Sequence, residues 1–127
     1  QIYTFNTTSG SPAYVHFKTN ITSTANKIFM IEALGYNYGT AQPIRCAWQF
    51  YAYNGGVSDR GRENATNTGV TADGVYNSSD GYACIRALAS GGWYFAGLIL
   101  NAYTSAAYGS IIQITASSQN STSGNYY

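Results

Sequence analysis

Charge is what this chain has least of. Only 9% of its 127 residues are Asp, Glu, Lys or Arg, against about a quarter in an ordinary soluble domain, and the formal net charge is +1. Without clustered Lys and Arg there is little to neutralise a phosphate backbone, which argues against nucleic acid as the main partner. The single His, His16, sits mid-segment with Tyr14 and Lys18 on its face. No carboxylate or nucleophile accompanies it in a local motif, so it reads as a structural His rather than a general base. Gly-x-Ser-x-Gly, a phosphate-binding loop and His-Glu-x-x-His are all missing. The five carboxylates are Glu32, Asp59, Glu63, Asp73 and Asp80. Asp73 and Asp80 are each followed by Gly, which is turn chemistry rather than a glycosidase pair. No enzyme and no cofactor is expected.

Cysteine is scarce too. Cys46 and Cys84 lie in apolar, strand-like runs. They allow two readings: buried thiols acting as small hydrophobes, or one inter-strand disulfide made in an oxidising compartment. With one His and no further Cys they fall short of a four-ligand Cys/His zinc set. Long hydrophobic runs are absent. The longest, such as Trp93 to Leu100, fall short of the roughly 20 residues a membrane helix needs. No membrane insertion is expected. The chain opens on Gln1 without a Met, which suggests a processed product or a module cut from something longer. So little charge leaves a small monomer poorly protected against association, so an oligomer is expected.

What is present is 13 Tyr and 14 Gly among many Ser, Thr and Asn. Tyr offers a large, stiff, amphipathic contact, and Ser, Gly and Asn offer adaptable polar ones. That mixture suits recognition by stacking and neutral hydrogen bonding.

Period-two alternation and aromatic or β-branched residues run from end to end, with no sustained helical period. Expected strands are 13–18, after the breaker Ser9–Gly10–Ser11–Pro12; 27–38, apolar on both faces; and 44–53, with Ile44, Cys46, Trp48 and Phe50 on one face. The polar stretch 57–71 is a weak edge strand or a long loop. Residues 74–77 are extended, Asp80-Gly81 turns into 82–88, 93–103 is a long apolar strand, and 110–116 is the last. The expected core includes Ile28, Met30, Trp48, Phe50, Ile85, Phe95, Leu98, Leu100 and Ile112. Residues 117–127 read as a polar tail without core residues. The architecture that fits is all-β: a single antiparallel β-sandwich or jelly-roll-like domain spanning 1–127, its core within about 12–116.

Five Asn-x-Ser/Thr sequons begin at Asn6, Asn20, Asn64, Asn77 and Asn120. On a eukaryotic secretory route they are glycan acceptors, whereas in a protein made in bacteria they carry no meaning.

The segments Ala13–Ile21, Met30–Gly39, Pro43-Ile44-Arg45-Cys46 and Ser79-Asp80-Gly81-Tyr82, in this order, resemble a module of marine bacteriophage tail-fibre and related adhesin proteins. The likeness spans about residues 12–116. It implies a small β-structured head at a fibre tip, presented as a trimer on the virion surface among other virion proteins. It supplies no fixed site motif. An extracellular glycan-binding lectin and a non-binding structural subunit remain the alternatives. For a host-surface glycan or protein, the expected contact residues are Tyr76, Asn77 and Asp80, with Arg60 and Arg62 lending contacts. All five sit in or beside turn-rich segments, where binding groups gather on a rigid sheet.

Overall fold

The structure, a computed structural model, describes residues 1–8 and 12–127. The Ser9–Gly10–Ser11 portion of the expected breaker lies outside the described residues. Among the described residues are nine strands: β1 Tyr3–Asn6, β2 Tyr14–Thr22, β3 Lys27–Asn37, β4 Gln42–Tyr53, β5 Gly56–Asn64, β6 Thr71–Asn77, β7 Tyr82–Leu88, β8 Ala96–Tyr103 and β9 Ile114–Asn120. A single 3-10 turn, Tyr38–Thr40, follows β3. The strands form two antiparallel sheets, one ordered β1-β8-β3-β4-β5 and the other β6-β7-β2-β9, packed face to face as a β-sandwich.

Side-chain parity explains the packing. On β4, Ile44, Cys46, Trp48, Phe50 and Ala52 all point inward and are buried. Its hairpin to β5 closes through Asn54 and Gly55, at φ 53° and 81°. Both central residues at positive φ match the twist of the flanking strands, the conformation that Asn-Gly favours. Phe17, Ile21 and Val15 of β2 and Ala83, Ile85 and Ala87 of β7 complete the interior from the other sheet. Trp48 and Trp93 are its largest buried side chains, and each indole N–H finds a carbonyl: Arg86 O at 3.0 Å and Ala13 O at 2.8 Å. The sheets also meet along the β5–β6 seam. There the Asn64 amide accepts from the Ala72 N–H at 2.6 Å and Arg62 donates to the Asp73 carbonyl.

Several expectations need correction. Tyr3–Asn6, not expected to be extended, pairs with Leu100–Gly97 of β8. On β3 the inward face is Phe29, Ile31 and Ala33, while Ile28 is 54% exposed and Met30 lies on the same outer face. Phe95 is not core. It precedes β8, has φ 45° and is 51% exposed. The last strand is not 110–116 but Ile114–Asn120, and its polar residues Ser117, Ser118 and Gln119 pair with Phe17, His16 and Val15 of β2. The supposed tail is therefore partly sheet. The rest of it, residues 121–127, runs over the outer face of the four-stranded sheet.

Candidate functional site

The residues expected to bind do not converge. Tyr76 is only 6% exposed, and its hydroxyl bonds His16 Nδ1 at 2.9 Å and accepts from the backbone N–H groups of Tyr126 and Tyr127. Asn77 donates to the Gly55 carbonyl at 3.0 Å, and its buried Oδ1 has no partner among the described residues. Asp80 is paired with Lys18 at 2.7 Å and accepts from Ser78 Oγ at 2.6 Å. Those bonds, with Lys18 the larger influence, hold its carboxyl below the ordinary carboxylate range. Arg60 and Arg62 are exposed on β5, in the other sheet, and Arg62 is paired with Asp59 at 3.2 Å. Tyr76 thus ties β6 to β2 and to residues 126–127, Asn77 ties it to the β4–β5 turn, and Asp80 ties the β6–β7 turn to β2.

Exposed aromatic rings gather elsewhere. Tyr38, Tyr94 and Phe95 are 71%, 40% and 51% exposed, and they touch one another with centroid separations of 5.9, 6.3 and 4.7 Å. Two loops bring them together: the 3-10 turn after β3 and the loop before β8. Asn37, buried at the end of β3, fixes both loops. Its Nδ2 donates to the carbonyls of Gly69 and Gly92 at 3.1 and 3.2 Å. Its Oδ1 accepts from the N–H groups of Gly39 and Tyr94 at 3.0 and 3.4 Å. The loops approach so closely that a Cβ on Gly39 would lie 2.9 Å from the Gly92 carbonyl oxygen and from Tyr94 Cβ.

Phe95 is strained. A bulky aromatic residue at positive φ is a true conformational outlier, costing on the order of 1–3 kcal/mol. A Gly there would relieve the backbone, yet the chain keeps an exposed ring. Neither Tyr38, Tyr94 nor Phe95 carries a formal charge, so the cluster offers neutral aromatic faces and phenol hydroxyls. Such faces can cover the C–H patches of an uncharged ligand while the Tyr38 and Tyr94 hydroxyls bond its polar groups.

A second exposed surface is the outer face of the five-stranded sheet. Ile28, Tyr36, Tyr53 and Tyr103 are each about half-exposed there, with Met30, Leu34 and Ile99 between them. At its centre Glu32 accepts from Tyr103 Oη at 2.7 Å and Asn101 Nδ2 at 3.2 Å. The bonded Glu32 carboxylate pushes the Tyr103 phenol up from its ordinary value.

Cys46 and Cys84 are both free and buried, one on each sheet. Burial pushes each thiol up to about 12. No cluster of three His, Cys, Asp or Glu side chains stands ready to hold a metal among the described residues. No family model matches the chain, and neither a curated protein nor a solved structure matches it at a significant level.

The sequence signals for the aromatic cluster were the two Gly-punctuated Tyr segments, Gly35-Tyr36-Asn37-Tyr38-Gly39 and Gly91-Gly92-Trp93-Tyr94-Phe95. Neither predicts that the two loops meet.

Proposed function

We propose that this chain is a non-catalytic recognition module that attaches to a neutral glycan on a host-cell surface, as the head of a virion fibre. The observation that carries this reading is the exposed Tyr38–Tyr94–Phe95 cluster, held by a buried Asn and retaining a strained aromatic residue. Loops held on a rigid sheet are where binding groups concentrate, and retained backbone strain marks functional positions. The segment likeness to phage fibre modules supplies the virion setting. In an extracellular lectin the same cluster would serve the same chemistry.

The test is a glycan array with the parent, Phe95→Gly and Tyr38→Ala. Phe95→Gly removes ring and strain together, so the reading expects a variant at least as stable as the parent that has lost glycan capture. Parent-like capture by both folded variants overturns it.

A separate observation favours self-assembly. The outer face of the five-stranded sheet is apolar apart from Glu32, whose carboxylate is bonded within the face, and Arg45, Arg60 and Glu63 stand around Met30, Leu34 and Ala47. An apolar core inside a polar rim is the anatomy of a protein interface. Both signs of charge on one rim let copy pair with copy. We propose that a second copy of the chain covers this face in a homo-oligomer, a trimer being the form that the fibre likeness implies. Native mass spectrometry should find the assembly in the parent and monomer after Ile28→Glu. A parent that stays monomeric at micromolar concentration overturns it.

A further inference from the structure

The outer face of the four-stranded sheet is roofed by residues 121–127 of the same chain, and the roof is pinned through one imidazole. His16, on β2, is fully buried. Its Nε2 lies 3.0 Å from the Thr122 carbonyl oxygen, which can only accept, so Nε2 carries the proton. In the neutral ring Nδ1 is then the acceptor, and the Tyr76 hydroxyl 2.9 Å away donates to it. The lone pairs of that same hydroxyl take the Tyr126 and Tyr127 N–H groups at 3.2 and 3.4 Å. Every position on the Tyr76 oxygen is filled, and the arrangement works for one protonation state of His16.

We propose that residues 121–127 form an acid-released strap: protonating His16 detaches them and bares the outer face of the four-stranded sheet. Protonation places a hydrogen on Nδ1, aimed at the Tyr76 oxygen. Three donors then converge on an atom with two lone pairs, and the phenol proton loses its imidazole acceptor and keeps only the weak one that the Cys84 sulfur offers.

The charged and titratable neighbours are few. From β7, Arg86 pairs directly across from His16 and opposes a second positive charge. From β6, Asp73 attracts it, but its carboxylate is already bonded by Arg86 Nε at 2.5 Å. Also on β7, Cys84 stays a thiol at any moderate pH. On β2, Lys18 is paired with Asp80 and lies 5.8 Å from the Tyr127 ring. From the strap, the Tyr126 ring stands 5.7 Å from the imidazole, tilted by 41°. It offers a cationic ring some compensation, but Tyr126 leaves with the strap.

Burial is the largest influence on His16 and pushes it below its ordinary 6.5. A base held low in the closed form binds its proton more readily once released. The strap's hold is therefore complete above 6.5 and weakens as pH falls through the closed-form value. The remaining anchors survive acid: Arg86 Nη1 donates to the Gly124 carbonyl at 3.2 Å and the Ser79 N–H to the Tyr127 carbonyl at 3.1 Å. Both are exposed or peripheral bonds.

Hydrogen exchange resolved to the strap tests this, with intrinsic exchange corrected for pH. Protection at Tyr126 and Tyr127 should be flat near neutrality and then fall by up to about tenfold per pH unit toward about pH 5, one proton being taken up. Core amides such as Ile31 and Trp48 should stay protected. His16→Gln, which keeps a donor and an acceptor but cannot be charged, should make strap protection independent of pH. Tyr76→Phe should loosen the strap at both pH values, and it decides the matter if His16→Gln does not fold. Parent protection that does not change to about pH 5, acid loss that persists in His16→Gln, or a Tyr76→Phe strap as protected as the parent's would each overturn the proposal.

Discussion

The indole nitrogen of Trp48 donates to the main-chain carbonyl of Arg86 at 3.0 Å, joining the five-stranded sheet to the middle of the four-stranded one. On the neighbouring strand β6 the register shifts between Ala72 and Gly74, opposite Arg86.

Replacing Trp48 by Phe keeps most of the apolar contact and deletes that donor. A buried acceptor left without a partner costs about 1–3 kcal/mol. Urea unfolding of Trp48→Phe should show a loss in that range, with the slope against denaturant unchanged. A neutral result would mean that water reaches the Arg86 carbonyl.

The two Phe residues expected in the core should now behave oppositely. Phe50 is fully buried, stacked on Phe29 with centroids 5.6 Å apart. Phe50→Ala should cost about 3–5 kcal/mol. Phe95→Gly should be neutral or stabilising by about 1 kcal/mol, since it removes positive-φ strain from an exposed position. Paired melting curves for the two variants read this directly.

Four of the five sequon asparagines are occupied as structural amides. Asn20 Nδ2 donates to the Ile111 carbonyl at 2.7 Å, Asn64 Oδ1 accepts from Ala72, Asn77 Nδ2 donates to Gly55, and Asn120 Oδ1 accepts from Thr122 at 2.7 Å. Asn64 is exposed, but its Nδ2, the atom a glycan would join, donates to the Ala72 carbonyl at 3.4 Å across the seam between the sheets. The native chain should therefore show the bare polypeptide mass at Asn64, and Asn64→Ala should cost about 1–3 kcal/mol by orphaning the Ala72 N–H. Intact-mass spectrometry and thermal unfolding check the two halves.

Both thiols are pushed up to about 12 by burial and are protonated at neutral pH. Since the thiolate is the reactive form, neither Cys46 nor Cys84 should react with a maleimide or disulfide reagent in the folded protein. Denaturation without reductant should release two reactive thiols.

The strands that were legible in the sequence are those whose parity is unambiguous. On β4 apolar and polar residues alternate cleanly, and on β7 the bounds 82–88 follow from Asp80-Gly81 and Ser90-Gly91. β3 hid its inward face because both of its faces are apolar, and only pairing with β4 and β8 makes Phe29 rather than Ile28 core. β9 was illegible for the opposite reason. Its Ser and Gln residues carry no hydrophobic period, and it is a strand because β2 offers it a partner. The surroundings of the candidate site residues were illegible for a similar reason. Tyr76 looked like a binding residue beside a turn, but its hydroxyl is claimed by residues fifty positions away. Phe95 looked like core because it sits in an apolar run, and its φ of 45° ends that run one residue before β8.

The pairing of β2 also dictates how the molecule can be made. Tyr14 lies beside Leu88 on one side and Asn120 on the other, so β2 is synthesised long before either neighbour exists. Until β7 emerges, Val15, Phe17 and Ile21 have no strand beside them, and the other edge of β2 stays open until β9 is made. Such sequence-distant pairing places folding in the slow, millisecond-to-second class of β-rich chains. A nascent chain is thus exposed to misassociation through β2 until β9 is made. Slower synthesis at low temperature should raise the soluble yield less than a holding chaperone that masks β2.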